Sequence, residues 1–358
     1  MQEFLPTLLR CSISMSLVTI SYVALQPFLS KRYSAKWHYM IWLFISAGWI
    51  FPYRPRIDFL FSVQIPNILT FVQSITGSKS SMGAGDMATF PLWGILTAIW
   101  GLGVGSAVLY HALRHFRFKK MVHRWSEPVT DLKILGVLDT LCLELGIKKQ
   151  IKLSKCESVT SPMLVGFYRP TILLPSFNFS DDKLSLILKH ELIHFKRHDL
   201  WFKAMILMTT VLHWFNPVVY LMARAAALQC EISCDALVLE NADIKQRKQY
   251  GEIIIAGVRN GSKLQTSILT KFYGGKKGMK NRISSIMDIK QKRAGVLILC
   301  LVLVGILLTG MLTSTAIGDA SQDSINKEYV TWSNNNENNS DQEITRLKEL
   351  LRQLYYND

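Results

Sequence analysis

An α-helical membrane protein carrying one cytoplasmic α+β domain is expected from three features of these 358 residues. Nearly half of them (49%) are hydrophobic, and the mean hydropathy of +0.19 is high for a water-soluble chain. Four stretches, Cys11 to Leu29, Trp37 to Phe51, Phe90 to Tyr110 and Ala294 to Ile317, contain no Asp, Glu, Lys or Arg. Between the third and the fourth lies a basic segment that mixes short strand patterns with helical ones.

The first stretch is followed by Lys31, Arg32 and Lys36 and by no small-residue cleavage site, so it reads as a retained span rather than a signal peptide. The second is short against the roughly 20 residues a crossing helix needs, and the others come close to that length. Residues 52–89 form an external loop in this reading. Lys and Arg outnumber Asp and Glu by 7 to 3 up to residue 110 and by 30 to 15 over 111–293, then fall behind by 4 to 8 after residue 318. Basic residues near span ends stay in the cytoplasm. The run His111 to Lys120 and the Lys292-Arg293 pair therefore place 111–293 inside and both termini outside. That pattern accounts for the net charge of +15 without nucleic acid, for which no motif is present, and no direct nucleic-acid binding is expected. The six cysteines form no CxxC pair and are expected as free thiols.

The expected organisation is thus three transmembrane helices over 1–110, a cytoplasmic domain over 111–293, a fourth transmembrane helix over 294–317 and a short extracellular tail over 318–358. Within the domain, Asp131 to Leu145 has helical spacing with Gly146 as its stop. Ile147 to Leu153 alternates like a strand, and Met163 to Pro175 reads as two strands around Tyr168-Arg169-Pro170. Ser180 is placed to cap a helix with Asp181 and Asp182 in its first turn. That helix should run to about Asp199. Residues Ala204 to Ala223 carry no charge, yet Asn216-Pro217 interrupts them, which predicts a helical hairpin rather than another span.

The chemistry is concentrated in His190-Glu191-Leu192-Ile193-His194. A spacing of four puts both imidazoles on one helix face, close enough to share a tetrahedral zinc, and Glu191 beside them can act as general base on an activated water. A third ligand is required. His198 would lie about 12 Å from His190 along a straight helix, and Arg197 replaces the glycine that lets a helix break and recruit a later histidine. Glu231 is the better candidate, with Asp235 one turn later able to hold a ligand imidazole. Cys230 and Cys234, also one turn apart, read as packing residues.

Taken together, HELIHFKRHDL at 190–200, HWFNP at 213–217 and Glu-Ile-Ser-Cys-Asp at 231–235, set among four spans, resemble the BlaR/MecR sensor-transducers and their membrane-anchored relatives. The resemblance covers residues 1 to about 318. It implies a gluzincin-like zinc metallopeptidase domain with one Zn2+ per chain, His190, His194 and Glu231 as ligands, Glu191 as catalytic base and Asp235 supporting the ligands. It also implies signal-regulated proteolysis in which the domain cleaves itself and a cytoplasmic transcriptional repressor is lost. A monomer and a homodimer are both compatible with it. Only about 40 residues follow the fourth span, so no penicillin-binding sensor domain is expected, and Ser324 to Lys327 matches SxxK without its partner motifs. Leu269 to Gly275 is the candidate self-cleavage segment. A constitutive quality-control zinc peptidase and a non-catalytic signalling scaffold are the alternatives.

Overall fold

The computed structural model describes residues 4–51, 92–159, 161–176, 180–260, 275–290 and 292–308. The predicted external loop, the C-terminal tail with Ser324 to Lys327, the later part of span four and the candidate cleavage segment up to residue 274 lie outside them.

Three long helices come first or nearly so: α1 (Phe4–Arg32), α2 (Ala35–Ile50) and α3 (Leu92–Trp125). They coincide with the first three predicted spans, but α3 continues fifteen residues past Tyr110. Its basic last part is as good a helix former as its apolar first part, so the end of hydrophobicity does not end the helix. By length and composition, α1 and residues Gly94–Trp125 of α3 suffice to cross a bilayer, and Val296–Leu308 (α10) is a shorter apolar helix.

The α+β part begins with β1 (Ser126–Pro128) and α4 (Leu132–Glu144), followed by β2 (Lys152–Cys156), β3 (Met163–Val165) and β4 (Thr171–Leu174). The sheet order is β1-β2-β4-β3, with β2 and β4 parallel and the outer pairs antiparallel. The Asp131 carboxylate accepts from the Lys133 amide and caps α4, while Gly146 ends it at φ +66. The Ile147 amide turns back to the Cys142 carbonyl. That closure occupies the residues after α4, so β2 starts at Lys152 rather than at Ile147. The three-residue β1 has no alternation to betray it and was not foreseen.

The sheet lies over α5 (Asp181–Lys196), which buries Leu184, Leu188 and Leu192 against Ile172, Leu174 and the α4 leucines. Ser180 is the N-cap by position, without a side-chain cap bond. Contrary to expectation, α5 stops at Lys196. His198 adopts a left-handed conformation at φ 59, and α6 (Asp199–Leu212) begins directly after it.

Asn216 then ends the connection to α7 (Pro217–Val238): its side chain accepts from the Val218 amide, and Pro217 occupies the first turn, where its missing N–H costs nothing. The predicted hairpin is therefore α6–α7. It packs against α1 and α2 around Met15, Trp42, Ile45, Trp49, Ile206 and Met222. Polar groups tie the same surfaces together. Asn216 Nδ2 lies 2.7 and 2.8 Å from the Ser12 and Ser16 hydroxyls of α1, and His213 Nε2 lies 2.9 Å from the Trp49 carbonyl at the end of α2. Finally, α8 (Ile244–Asn260) and α9 (Gly275–Ile286) pack beside α7 through Tyr250, Ile286, Val238 and Leu239. None of the six cysteines forms a disulfide.

Because one side chain both caps α7 and bonds α1, Asn216→Ala should destabilise the fold by about 1–2 kcal/mol. Thermal melting of the protein in detergent measures it, and a variant melting with the wild type would contradict the capping role.

Candidate metal centre

Helix α5 presents its two histidines one turn apart, with ring centroids 4.6 Å from each other and planes at 88°. Their Nε2 atoms face one another at 3.0 Å. Helix α7 returns alongside and inserts Glu231, whose Oε2 lies 3.5 Å from His190 Nε2 and whose Oε1 lies 3.6 Å from His194 Nε2. Glu231 is 2% exposed and Glu191, next to His190 on α5, is 8% exposed.

The outer ring nitrogens decide the polarity of this cluster. His194 Nδ1 sits 2.6 Å from Asp199 Oδ2, an acceptor, so this nitrogen carries the proton. The Tyr250 hydroxyl donates to Asp235 Oδ1 at 2.7 Å and is left to accept from His190 Nδ1 at 2.8 Å. In the neutral rings, both Nε2 lone pairs therefore point at each other and at a carboxylate. Such a group repels itself unless a cation or a proton lies within it.

Ionisation shifts point the same way. Burial disfavours charge on both rings, but Cys234 and Glu231 outweigh it, pushing His190 up to about 10 and His194 well above the ordinary histidine value. Burial would also raise the Glu231 carboxyl, yet Lys203 and the two histidines hold it well below the usual carboxylate range. A tetrahedral ion held at about 2.0–2.1 Å by nitrogen and oxygen spaces its ligands by about 3.3 Å. The observed separations of 3.0, 3.5 and 3.6 Å bracket that figure, so the donors fit a zinc-sized ion with little movement.

Two further buried thiols adjoin the cluster. Cys234 lies within ligating range of His190 and His194, and Cys230 near His194 and Asp199. The Cys234 thiol faces the His190 carbonyl oxygen at 3.5 Å, and both side chains are fully buried. The cysteines expected only to pack thus line the site as well. His198 belongs to neither cluster among the described residues.

Asp235 lies 3.4 Å from His190 Nδ1, with the Tyr250 hydroxyl bridging the two. Arg282 clamps Asp235 with Nε and Nη2 at 2.6 and 2.8 Å and places Nη1 3.4 Å from Glu231 Oε2. Lys203 Nζ is 3.2 Å from Glu231 Oε1. Asp199, Tyr250, Arg282 and Lys203 were all missed by sequence reasoning. Asp199 left a faint signal, an acid just after the histidine pair. Tyr250 and Arg282 left none, because neither stands at a helical spacing from the motif.

Residues 6–286 match the family model described as BlaR1 peptidase M56. The chain belongs to the M56 peptidase family. Similarity to individual M56 relatives follows: 32% identity over 225 residues to the regulatory protein BlaR1 of Bacillus licheniformis, covering 62% of this chain and 35% of that protein. The regulatory protein BlaR1 of Staphylococcus aureus is 26% identical over 223 residues, 61% and 37% of the respective chains. The methicillin resistance mecR1 protein of Staphylococcus aureus is 25% identical over 270 residues, 70% and 46%. The M56 chain in hand thus spans between about a third and a half of these relatives' length.

Asp199→Asn would exchange the charged acceptor at His194 Nδ1 for a neutral amide. Affinity for a divalent ion should fall about 10–100-fold, measured by competition with a chromophoric chelator, and unchanged affinity would dismiss the contact as incidental.

Proposed function

We propose that this chain is a membrane-anchored zinc metalloendopeptidase of signal-regulated proteolysis, acting on itself and on a cytoplasmic transcriptional repressor. The observation that carries the enzymatic part is the meeting of two Nε2 lone pairs and a carboxylate at 3.0–3.6 Å, with both outer nitrogens engaged by acceptors. Membership of the M56 family and similarity to two relatives named regulatory protein BlaR1 support the rest.

His190, His194 and Glu231 would hold one Zn2+, with Asp199 and the Tyr250–Asp235–Arg282 group keeping the rings in the correct tautomer. When bound, the ion would acidify a water and polarise the scissile carbonyl. Glu191 would take the proton of that water as it attacks and return it to the departing amine nitrogen. Glu231 is preferred to Cys234 as third ligand because it offers one oxygen to each Nε2.

A bilayer setting is supported by where apolar side chains stay uncovered. The apolar window of α3 has no buried residue, and α1 exposes Ile13, Leu17, Leu25 and Phe28, a pattern lipid tails would satisfy. In this arrangement the α6–α7 hairpin lies in the membrane beside the first two spans. Each arm is about 21 Å long between Asp199 or Glu231 and the tip, shorter than the roughly 30 Å of hydrocarbon. Its tip meets Ser12 and Trp49 toward the outer ends of α1 and α2, which leaves the metal site at the inner surface. The same topology gives a cytoplasmic domain over 111–293, from which only the hairpin enters the membrane, and termini outside.

Glu191→Ala should keep zinc at one ion per chain while lowering peptide-bond cleavage by at least about a hundredfold. Mass spectrometry of wild-type and variant protein in membranes reads both self-cleavage and loss of a co-expressed repressor. Identical fragment patterns would refute the proteolytic reading. Chelation should abolish cleavage in the wild type, and zinc should restore it.

A further inference from the structure

Two side-chain hydrogen bonds join the first two spans to residues close beside the metal ligands. The more direct one runs through α2. Tyr39 is buried within its first turns, and its hydroxyl donates to Asp199 Oδ1 at 2.9 Å. The other oxygen of that carboxylate is the one 2.6 Å from His194 Nδ1. A single planar group therefore joins a residue of the second span to a candidate ligand ring, and it cannot turn at one end without turning at the other.

The Tyr39 ring is itself fixed from both sides. Arg197, the residue after α5, lays its guanidinium 4.1 Å from the ring centroid and places Nη2 3.3 Å from Asp199 Oδ1. Phe202 of α6 meets the ring edge-to-face at 5.0 Å. The left-handed turn at His198 lies between these two attachments, so the α5–α6 junction closes around Tyr39.

The inner end of α2 is in turn tied to the start of the fourth predicted span. The Arg293 amide donates to the Arg32 carbonyl at 2.9 Å, and the Ser34 amide donates to the Arg293 carbonyl at 3.1 Å. Gly295 approaches Trp37 so closely that an added Cβ would meet the Trp37 Cβ at 3.0 Å. On the α1 side, Gln26 donates to Gln229 at 3.2 Å, two residues before Glu231.

We propose that Tyr39 is a positioning residue for His194 and that the Tyr39–Asp199–His194 relay transmits displacement of the second span to the metal centre. This rests on the metallopeptidase reading. A shift of α2 that lengthens the Tyr39–Asp199 bond frees the carboxylate to rotate, and His194 then loses its fixed orientation toward the ion. The ligand set is kept while its geometry changes, which is what a graded control of an existing enzyme requires.

The test uses the full chain in lipid nanodiscs, loaded with cobalt as a spectroscopic probe of the metal. Tyr39→Phe keeps the ring and its packing and removes only the hydroxyl. Its cobalt d–d bands should shift and its cobalt affinity fall about tenfold. Asp199→Asn should shift the bands as well, and the double variant should be no worse than Asp199→Asn alone, because both changes break one relay. Wild-type bands and affinity in Tyr39→Phe would overturn the relay, as would losses that add fully in the double variant. A lowered melting temperature with unmoved bands counts as a purely structural role and also overturns it. Failure of the wild-type chain to bind cobalt stoichiometrically would instead overturn the metallopeptidase reading and the relay with it.

Discussion

Electron-rich donors crowded into a buried space repel one another, and at the heart of this chain two imidazole lone pairs and a carboxylate are held within 3.0–3.6 Å. Much of the surrounding architecture can be understood as what is needed to keep them there. Helix α5 supplies the rings from one rigid backbone. The α6–α7 hairpin returns the carboxylate to the same point after some thirty residues. Acceptors on the far side of each ring fix which nitrogen is bare. A cation or proton resolves the repulsion, and the donor types and spacing suit zinc.

The outer contacts are drawn from unrelated parts of the chain, and this distribution has consequences. Asp199 begins α6, Asp235 ends the arm that carries Glu231, and Tyr250 and Arg282 come from the two helices beside it. Asp235 is held by Tyr250 and by two nitrogens of Arg282, so its negative charge is neutralised in place rather than by solvent. The centre therefore depends on α8 and α9 as much as on the motif helix.

Placement beside α1 and α2 links the centre to the elements that would meet the bilayer. Polar contacts occur at both ends of the hairpin: Asn216 and His213 at the tip, Asp199 and Gln229 at the base. Between them the interface is mainly apolar and filled by Met15, Trp42 and Ile45, with the Ser46 hydroxyl 3.3 Å from the Met222 sulfur. Such an interface transmits rigid displacement better than bending, since filled cores resist deformation.

The local sequence determined the motif helix, its two histidines at one-turn spacing, the hairpin break at Asn216-Pro217 and the α+β character of the domain. Each follows from periodicity, capping or backbone chemistry within a few residues. It misjudged where α5 ends, because no glycine announces the left-handed turn at His198; that conformation is stabilised by contacts of Arg197 and Asp199 with Tyr39, some 160 residues earlier in the chain. It placed Asp235 beside a ligand imidazole, where it lies 3.4 Å from His190 Nδ1, but gave no sign of the Tyr250 hydroxyl that bridges the two. Which hydroxyl and guanidinium close around the rings was decided by tertiary packing alone. Hydrogen-bond partners across sequence separations of 47 to 160 residues leave no period to read, and only the folded chain brings them within reach.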